Sequence, residues 1–370
     1  MVKTDIARLN KPYYQNWLRL RFKISKLLRL LPMPQKQVLS VFEDQGFRDR
    51  FYRDLWKNAA SSLDLPYTDL GYGYWRVDQG ETSACGDLTS IELDTQISLI
   101  ISGNKPLSHQ LCSEVDGYLV PKYKEFDLGS IDKAASFLLS RSISCVIKPA
   151  QDTGAGSGVI TGIDSLKKLI DGAVKISTYC KKLMIEETVI GNSYRVLILG
   201  GQYLGAIRRD PPCVIGDGVS SIRKLIEKEN GRRLNSSKIV SLFPILIDED
   251  CHHSLAARNL SLTSIPAEAE IIKVKDVINQ NAAEQNVDVS DSVHPGIIKT
   301  SIDASQRLGL KLAGVDVLCA DISKPLAETG GIINEVNGNP GLHHHYLIRD
   351  QQKIPIAEKI LQFVLDNNKD

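Results

Sequence analysis

The order of the predicted elements indicates an α+β fold with antiparallel sheets. Two apolar segments, 194–199 and 202–208, flank Gly200-Gly201. Such a glycine pair predicts a tight β-hairpin, because glycine tolerates the positive φ of the turn. Helical patterns are interspersed with this hairpin and with further short strands. A single doubly wound sheet would instead require strands that alternate regularly with helices.

Local signals place the other elements in order. A strand over 144–148 enters a glycine-rich loop, and Asp164 is expected to cap the helix that follows. A short apolar strand over 183–187 ends in two carboxylates. Ser221 predicts the N-cap of a helix that stops at Gly231. The remaining predicted elements are helices over 51–63, 295–308 (before Gly309) and 355–365, and strands over 313–319 and 332–337.

Composition and charge exclude several classes of protein. Of 370 residues, 42% are apolar and 24% charged, which excludes wholesale disorder and fibrous repeats. The 45 basic and 44 acidic residues leave a net charge of +1, so no general attraction to nucleic acid is expected. Seven scattered cysteines favour a reducing cytoplasm over a disulfide framework or a zinc site. No run approaches the ~18 apolar residues of a transmembrane segment and no secretion signal is recognisable, so we expect a soluble cytoplasmic protein.

Residues 18–31 form a basic and apolar segment near the start of the chain. Leucine and isoleucine are interleaved there with five basic residues, Arg19, Arg21, Lys23, Lys26 and Arg29. The favoured interpretation is a packed helix whose charges face water. The alternative is a segment that lies on an anionic membrane surface or on a partner.

A lysine at a strand end precedes a run of glycines. Lys148 is followed by Gly154, Gly156, Ser157 and Gly158. Backbone N–H groups in such a loop can turn toward phosphate oxygens, while the lysine supplies a positive charge. The pattern is not a P-loop, because the lysine precedes the glycines, and it does not match the GxGxxG dinucleotide fingerprint. A glycine-rich hairpin without a ligand would look the same, so both interpretations stay open at this point.

Three oxygen-bearing side chains lie in the last two predicted strands. Glu335 and Asn337 share one strand face because side chains alternate, and Asp316 lies in an apolar frame where an unpaired carboxylate would be costly. Together they can hold one or two Mg²⁺ ions, which keep waters and bridge phosphates. The alternative is a surface hairpin with three polar positions. The phosphate-binding loop predicted nearby favours the metal site over this alternative.

Four long stretches carry a resemblance to a known family: IKPAQDTGAGSGV at 147–159, MIEETVIGNSYRVL at 184–197, RRDPPCVIGDGVSSIRKLI at 208–226 and GVDVLCADISKPLAETGGIINEVNGNPG at 314–341. They resemble the ATP-grasp superfamily, and most closely the ATP-grasp domain of cyanophycin synthetases and of the bifunctional glutathione-forming ligases. The resemblance implies an ATP-grasp fold in which two α+β units clamp ATP. The units would be a first (lid) subdomain over 104–187 and a C-terminal subdomain over 188–370, after a small N-terminal unit over 1–103.

The resemblance also implies ligands for the nucleotide and its metal. The implied nucleotide-binding residues are Lys105, Lys148, Gly154, Gly156, Ser157, Gly158, Glu186, Glu187 and Val189. The segment from Glu186 to Val189 would hydrogen-bond the adenine, and Glu187 would replace a ribose-binding carboxylate that relatives often carry at the position of Ser193. Asp316, Glu335 and Asn337 fall on the metal ligands of the family, so ATP and Mg²⁺ (or Mn²⁺) are the implied cofactors.

Members of the family activate a carboxylate as an acyl phosphate, which an amine then attacks, releasing ADP and phosphate. This chemistry needs charge neutralisation at the transferring phosphoryl group and exclusion of water. We therefore expect an ADP-forming carboxylate–amine ligase acting on an amino acid or small peptide, with small-molecule acid and amine substrates. A homodimer is compatible with the resemblance. The alternatives are a phosphotransferase acting on a small-molecule hydroxyl and a non-catalytic nucleotide-binding protein.

Three arginines are candidates for stabilising charge on the reacting groups. Arg208 and Arg209 are neighbours on one strand, so they must point in opposite directions. Arg209 is favoured because it lies nearer the ordered loop that follows. The family motif RxxxNLSTGG lacks its first arginine here, at Leu255, so Arg258 is the third candidate.

Three consecutive histidines, at positions 343–345, follow the last predicted strand. They point in different directions, which disfavours a single-metal site. We expect a loop that lines the substrate pocket, with a solvated loop as the alternative. Cys145 and Cys319 lie in apolar strands and are expected to be core thiols rather than nucleophiles.

Overall fold

The computed structural model describes residues 2–28, 34–151, 158–178, 180–350 and 354–368. Gly154, Gly156 and Ser157 of the predicted phosphate loop and Arg29 of the basic segment lie outside these ranges. The helices are α1 (Val2–Leu9), α2 (Pro12–Leu28), α3 (Pro34–Asp44), α4 (Phe47–Ser62), α5 (Gln96–Ser102), α6 (Lys105–Cys112), α7 (Ile131–Leu139), α8 (Leu166–Ile176), α9 (Ile222–Asn235), α10 (Glu249–Ala256), α11 (Pro295–Arg307), α12 (Leu326–Thr329), α13 (His343–Tyr346) and α14 (Ile356–Asn367).

The strands form antiparallel sheets, which confirms the prediction of an α+β class. A three-stranded sheet has the order β1-β2-β3, a four-stranded sheet β4-β7-β5-β6, and a five-stranded sheet β12-β9-β8-β13-β14, while β10 pairs with β11. The strands are β1 (Tyr67–Gly71), β2 (Tyr74–Gln79), β3 (Thr82–Gly86), β4 (Tyr123–Phe126), β5 (Cys145–Pro149), β6 (Ile160–Ile163), β7 (Leu183–Glu187), β8 (Asn192–Leu199), β9 (Gln202–Arg209), β10 (Cys213–Ile215), β11 (Ile271–Lys273), β12 (Asn286–Asp288), β13 (Leu312–Cys319) and β14 (Ile332–Gly338).

The five-stranded sheet buries its two faces differently because side chains alternate along each strand. Val196 and Ile198 of β8 face a core that contains Ile297 and Ala304 of α11. Leu197 of the same strand faces the opposite way, into a core shared with α4 and α14. Arg195, next in that alternation, therefore lies on the same face as Leu197, beyond the α4–α14 core, and is only 9% exposed.

Residues before position 104, which the sequence suggested as one unit, contribute to two different cores. Leu9 and Leu18 of α1 and α2 pack with α7, α8 and the four-stranded sheet. Trp56 of α4 and Trp75 of β2 pack instead with α14, against the five-stranded sheet. Helix α4 thereby packs against the five-stranded sheet.

Several local predictions are confirmed, whereas some boundaries are wrong, including the start of α4, which lies at Phe47 and not at residue 51. The hairpin turns at Gly200 and Gly201, with φ of 56° and 77°, and Gly309 follows α11 with φ of 69°. Ser165, not Asp164, caps α8, because its side chain accepts the N–H of Lys168.

Helix α9 begins after Ser221 as expected, but it continues through Gly231 to Asn235. Arg232 and Arg233 both pair with Glu229, at 2.7 and 2.8 Å. These contacts offset the roughly 1 kcal/mol that an interior glycine costs a helix.

Helix α2 confirms the helical prediction within the described part of residues 18–31. Leu18 is buried in the core, as the packed-helix interpretation expects. A different face exposes the stripe Tyr13, Trp17, Leu20, Ile24 and Leu27. None of the described helices combines the length and the apolar character that crossing a membrane would require.

Candidate active site

A cleft of about 2100 Å³ lies between the four-stranded and the five-stranded sheets. Strands β5 and β7 contribute Lys148 and Glu186 from one side, and β8, β9, β13 and β14 contribute side chains from the other. Across the cleft, Lys175 on α8 forms an ion pair with Glu249 on α10 (2.6 Å). The cleft is therefore lined by residues of both sheets and is bridged by an ion pair.

A buried cluster of three charges lies on the floor of the cleft. Asp316 and Arg195 are paired in register on adjacent strands. Arg195 Nε and Nη2 donate to the two carboxylate oxygens of Asp316 at 2.7 and 2.9 Å. Arg209 Nη2 lies 3.1 Å from Asp316 Oδ1. Burial by itself would raise the pKa of Asp316, but the two guanidinium charges outweigh it and hold this pKa below its ordinary value.

The three candidate arginines occupy different environments. Arg209 faces the cleft, and burial lowers its pKa to about 10. Its Nε is buried without a hydrogen-bond partner in the described part of the chain. Arg208 points the other way and pairs with Asp210 at 2.9 Å. Arg258 pairs with Asp276 at 3.3 Å and is not among the described residues that line the cleft.

Close packing beneath the cluster requires a glycine. A Cβ added at Gly314 would come within 2.6 Å of Pro340 Cβ and 3.3 Å of Arg195 Cδ. Asn339, directly before Pro340, has a positive φ of 46°, which asparagine tolerates better than most residues. A side chain at position 314 would therefore clash with Pro340 and crowd Arg195, whose guanidinium holds Asp316.

Strand β14 brings more polar groups into the cleft than alternation predicts. An irregularity in the β13–β14 pairing lies between Asp316 and Val317, so Asn334 has no direct register partner. Both Asn334 and its neighbour Glu335 line the cleft, as does Asn337. Such bulges redirect side chains at functional edges.

The predicted metal ligands keep oxygen atoms that could coordinate a cation. Glu335 Oε1 lies 3.0 Å from Lys105 Nζ. The amide nitrogen of Asn337 donates to the carbonyl of Gly314 (3.2 Å), which leaves its amide oxygen for a cation. A carboxylate has about four lone-pair positions, and the two arginines occupy three of those of Asp316.

This donor set fits Mg²⁺, which prefers oxygen ligands and keeps several waters. Within the described residues, no group of three or more His, Cys, Asp and Glu side chains forms a ligand set by itself. A cation here would therefore need further oxygens from phosphate and water.

The two predicted nucleotide-binding lysines both reach the cleft from buried positions. Lys148 is only 4% exposed, and its Nζ lies 2.7 Å from Glu186 Oε1 and 3.4 Å from Asn334 Oδ1. Glu186 Oε2 is buried and has no partner among the described residues. Lys105 opens α6, where the side chain of Asn104 caps the helix. Lys148 therefore forms a buried ion pair at the end of β5.

Two more of the predicted nucleotide-binding residues, Glu187 and Val189, line the same cleft, and Glu187 also pairs with Arg141 at 3.1 Å. Ser193 accepts a hydrogen bond from Arg209 (3.2 Å). Gly158 has a φ of 79°, a conformation that few residues other than glycine adopt.

Replacing Lys148 with methionine is expected to weaken ATP binding and also to destabilise the fold, because Glu186 would be left buried without its counter-charge. The double variant Lys148→Met/Glu186→Gln should recover much of the lost stability but not the affinity for ATP. Thermal unfolding and isothermal titration separate the two effects. Unchanged ATP affinity in both variants would show that Lys148 has only a structural role.

Arg195, Tyr52 and Arg48 also line the cleft, and the sequence interpretation assigned none of them. Arg195 could have been found, because a lone arginine in one apolar strand and a lone aspartate, Asp316, in another are each costly unless paired. Tyr52 and Arg48 carry no such signal.

Of the three consecutive histidines, His343 and His344 line the cleft and His345 is buried. They begin the short helix α13 rather than a loop.

Cys145 and Cys319 are buried in β5 and β13, as expected of core thiols. Burial raises the pKa of each thiol to about 11. Neither thiol would be appreciably ionised near neutral pH, which disfavours a nucleophilic role.

Comparisons with known proteins agree with this geometry. No family model matches the chain. The chain is 29% identical over 282 residues to the glutathione biosynthesis bifunctional protein of Clostridium perfringens, covering 75% of this chain and 36% of that protein. It is 31% identical over 227 residues to the cyanophycin synthetase of Synechocystis, covering 59% of this chain and 25% of that protein. The chain thus spans about a third or less of the length of these relatives.

The similarity extends to structure. A bifunctional glutathione synthetase from Pasteurella multocida matches with a TM-score of 0.53 at 22% identity, covering 82% of this chain and 41% of that one. The resemblance expected from the four sequence stretches is confirmed, and the chain has an ATP-grasp fold.

Proposed function

We propose that the protein is an ATP- and Mg²⁺-dependent carboxylate–amine ligase that forms an amide bond on an amino acid or small peptide. The observation that carries the proposal is the cleft floor. There, Asp316, Glu335 and Asn337 meet Lys105, Lys148 and Arg209 between two subdomains. The similarity to glutathione-forming proteins and cyanophycin synthetases supports an ADP-forming reaction.

The charges of the cleft suit phosphoryl transfer to a carboxylate. Lys105 and Lys148 would bind phosphate oxygens of ATP, exchanging their contacts with Glu335 and Glu186 for the nucleotide. A carboxylate oxygen of the acid substrate would attack the γ-phosphorus and release ADP. Arg209, held in place by Asp316, would stabilise negative charge on the resulting acyl phosphate. The amine then attacks the acyl carbon, and phosphate leaves.

Two features of the cleft support this sequence of steps. The Lys175–Glu249 ion pair spans the cleft from α8 to α10, which favours exclusion of water from a hydrolysable acyl phosphate. Asp316, Glu335 and Asn337 would hold the Mg²⁺, which supplies charge neutralisation at the transferring phosphoryl group. With two guanidinium groups beside Asp316, we expect the cation to bind together with the phosphates of ATP rather than alone.

The experiment that tests the proposal is phosphate release with ATP, Mg²⁺ and a pooled library of amino acids and dipeptides, followed by mass spectrometry of the products. Release that depends on both an acid and an amine, with an amide product, supports a ligase. A stable phosphorylated product would indicate a phosphotransferase. No release with any pool would indicate a nucleotide-binding protein without catalysis.

Among the three candidate arginines, Arg209→Ala is expected to lower ligation roughly 10²-fold, as for the loss of one electrostatic stabiliser. Arg208→Ala and Arg258→Ala should stay near the wild-type rate, because both side chains pair with carboxylates outside the Asp316 cluster. Ligation and uncoupled ATP hydrolysis would both be measured. Normal ligation by all three variants would refute the arginine assignment.

A homodimer and a cytoplasmic location remain part of the proposal. The relatives named above are biosynthetic enzymes, which supports a small-molecule pathway inside the cell. Sedimentation of the purified protein would establish its oligomeric state.

A further inference from the structure

One wall of the cleft comes from the N-terminal part of the chain. Arg48 and Tyr52 of α4 line the cleft together with Thr89 and His343. Tyr52 Oη lies 2.9 Å from His343 Nδ1, and Arg48 Nη2 donates to Thr89 Oγ1 at 3.4 Å. These groups border the Asp316 cluster, and the proposed ligation chemistry gives them no role.

The wall carries a positive charge that no acidic side chain balances. Burial lowers the pKa of His343 to about 3, and the charges of Arg195, Arg48 and Arg209 contribute, so all three guanidinium groups lie near this ring. Asp316 pairs with both Arg195 and Arg209, so these three side chains together carry one excess positive charge. No carboxylate lies within ion-pair distance of Arg48 among the described residues, and its side chain is exposed to the cleft.

The tyrosine and histidine beside Arg48 form a neutral hydrogen-bonding pair. Burial raises the pKa of Tyr52 to about 12, so the phenol keeps its proton. The backbone N–H of His343 donates to Tyr52 Oη at 3.5 Å, and the same oxygen lies 2.9 Å from Nδ1 of the ring. With the phenol as donor to Nδ1, the neutral ring of His343 carries its proton on Nε2. A neutral donor beside an uncompensated guanidinium is suited to an anion such as a carboxylate.

We propose that this wall binds a substrate carboxylate that does not react, with Arg48 as its charged partner and the Tyr52–His343 pair beside it. The inference rests on the proposed function, because it places the non-reacting end of a substrate next to the phosphoryl-transfer site. The substrate would be either an acid with a second carboxylate or an amino acid or peptide that donates its amine and keeps a free carboxylate. In both kinds of substrate, the group that Arg48 would bind is a carboxylate.

The test uses the full chain saturated with Mg²⁺ and a non-hydrolysable ATP analogue, in isothermal titrations with defined probes. The first arm compares succinate, glutarate and adipate with their monoamides. The second arm compares alanine and the dipeptide Ala-Ala with their C-terminal amides. In one of the two arms the free carboxylate should bind at least ~10-fold more tightly than its amide, as expected for one charge-assisted contact.

Arg48→Gln should abolish that preference without changing the melting temperature or the affinity for the ATP analogue, because Arg48 is an exposed residue in the first turn of α4. Arg50→Gln is the matched control. Arg50 lies on the same helix, packs over the ring of Phe47 and is not among the described cleft residues. It should keep the preference.

The outcomes separate this inference from the proposed function. Failure of the ATP analogue to bind would contradict the proposed function. Normal binding of the analogue with no carboxylate preference in either arm would overturn the role of the wall alone. A preference that survives in Arg48→Gln, or that is lost equally in Arg50→Gln, would also overturn it.

Discussion

Replacing Asp316 with asparagine is expected to lower the free energy of unfolding by about 3 kcal/mol. Breaking a buried ion pair by removing one partner costs about 3–5 kcal/mol, and the low end applies because asparagine keeps one acceptor oxygen. The large effect follows from the geometry of the cluster, in which one carboxylate serves two buried guanidinium groups. Denaturant unfolding of the two proteins at pH 7 measures the difference.

The matched control is Asp303→Asn. Asp303 pairs with Lys299 on the solvent side of α11, and such exposed pairs contribute only about 0.3–0.5 kcal/mol. Equal losses in the two variants would show that the Asp316 cluster is not a buried ion pair in solution.

The same cluster predicts how stability depends on pH. The folded state holds the pKa of Asp316 below its ordinary value of 3.8, so the carboxylate contributes its stability above that pH. The contribution is lost as the pH falls through the lowered folded pKa. The stability difference between wild type and Asp316→Asn should therefore be constant from pH 5 to 8 and shrink below about pH 3.8. A difference that grows in acid would contradict this sign.

Glu335→Gln is expected to lower the rate of ATP-dependent phosphate release at least ~10²-fold, the usual loss when one electrostatic stabiliser is removed. The side chain is nearly isosteric and 20% exposed, so the melting temperature should fall by less than in Asp316→Asn. The variant removes a negative charge from the proposed metal site and leaves Lys105 without its ion-pair partner.

Glu328→Gln on the exposed helix α12 is the control, and it should turn over normally. Turnover by Glu335→Gln at the wild-type rate, together with an active Asp316→Asn, would contradict the metal assignment. A large fall in melting temperature would instead indicate a structural role for the Lys105–Glu335 pair.

Elements with a strong local signal could be predicted from the sequence. The glycine pair at 200–201 defined the hairpin, and the alternation of β14 correctly put Glu335 and Asn337 on the cleft side. The same alternation separated Arg208 from Arg209. These features depend only on residues that are close in sequence, so local sequence patterns are enough to predict them.

Features that depend on register or on distant contacts could not be predicted. The pairing of Arg195 with Asp316 joins strands 121 positions apart, and nothing local fixes that register. The irregularity that brings Asn334 into the cleft depends on β13 as much as on β14. Tyr52 contacts His343, which is 291 positions away in the sequence, and this contact follows from the packing of α4 against α14.

The buried cluster of Arg195, Asp316 and Arg209 has a consequence for how this sequence can diverge. Loss of Asp316 alone strands two guanidinium charges in the protein interior, whereas loss of either arginine leaves a one-to-one ion pair. Replacing such a cluster as a whole with well-packed apolar residues is often tolerated by the fold. The effect of a change at position 316 therefore depends on whether the two arginines are present. We expect descendants that keep the fold to retain Asp316 wherever either arginine is kept, and to lose Asp316 only together with both arginines and with the charged floor of the cleft.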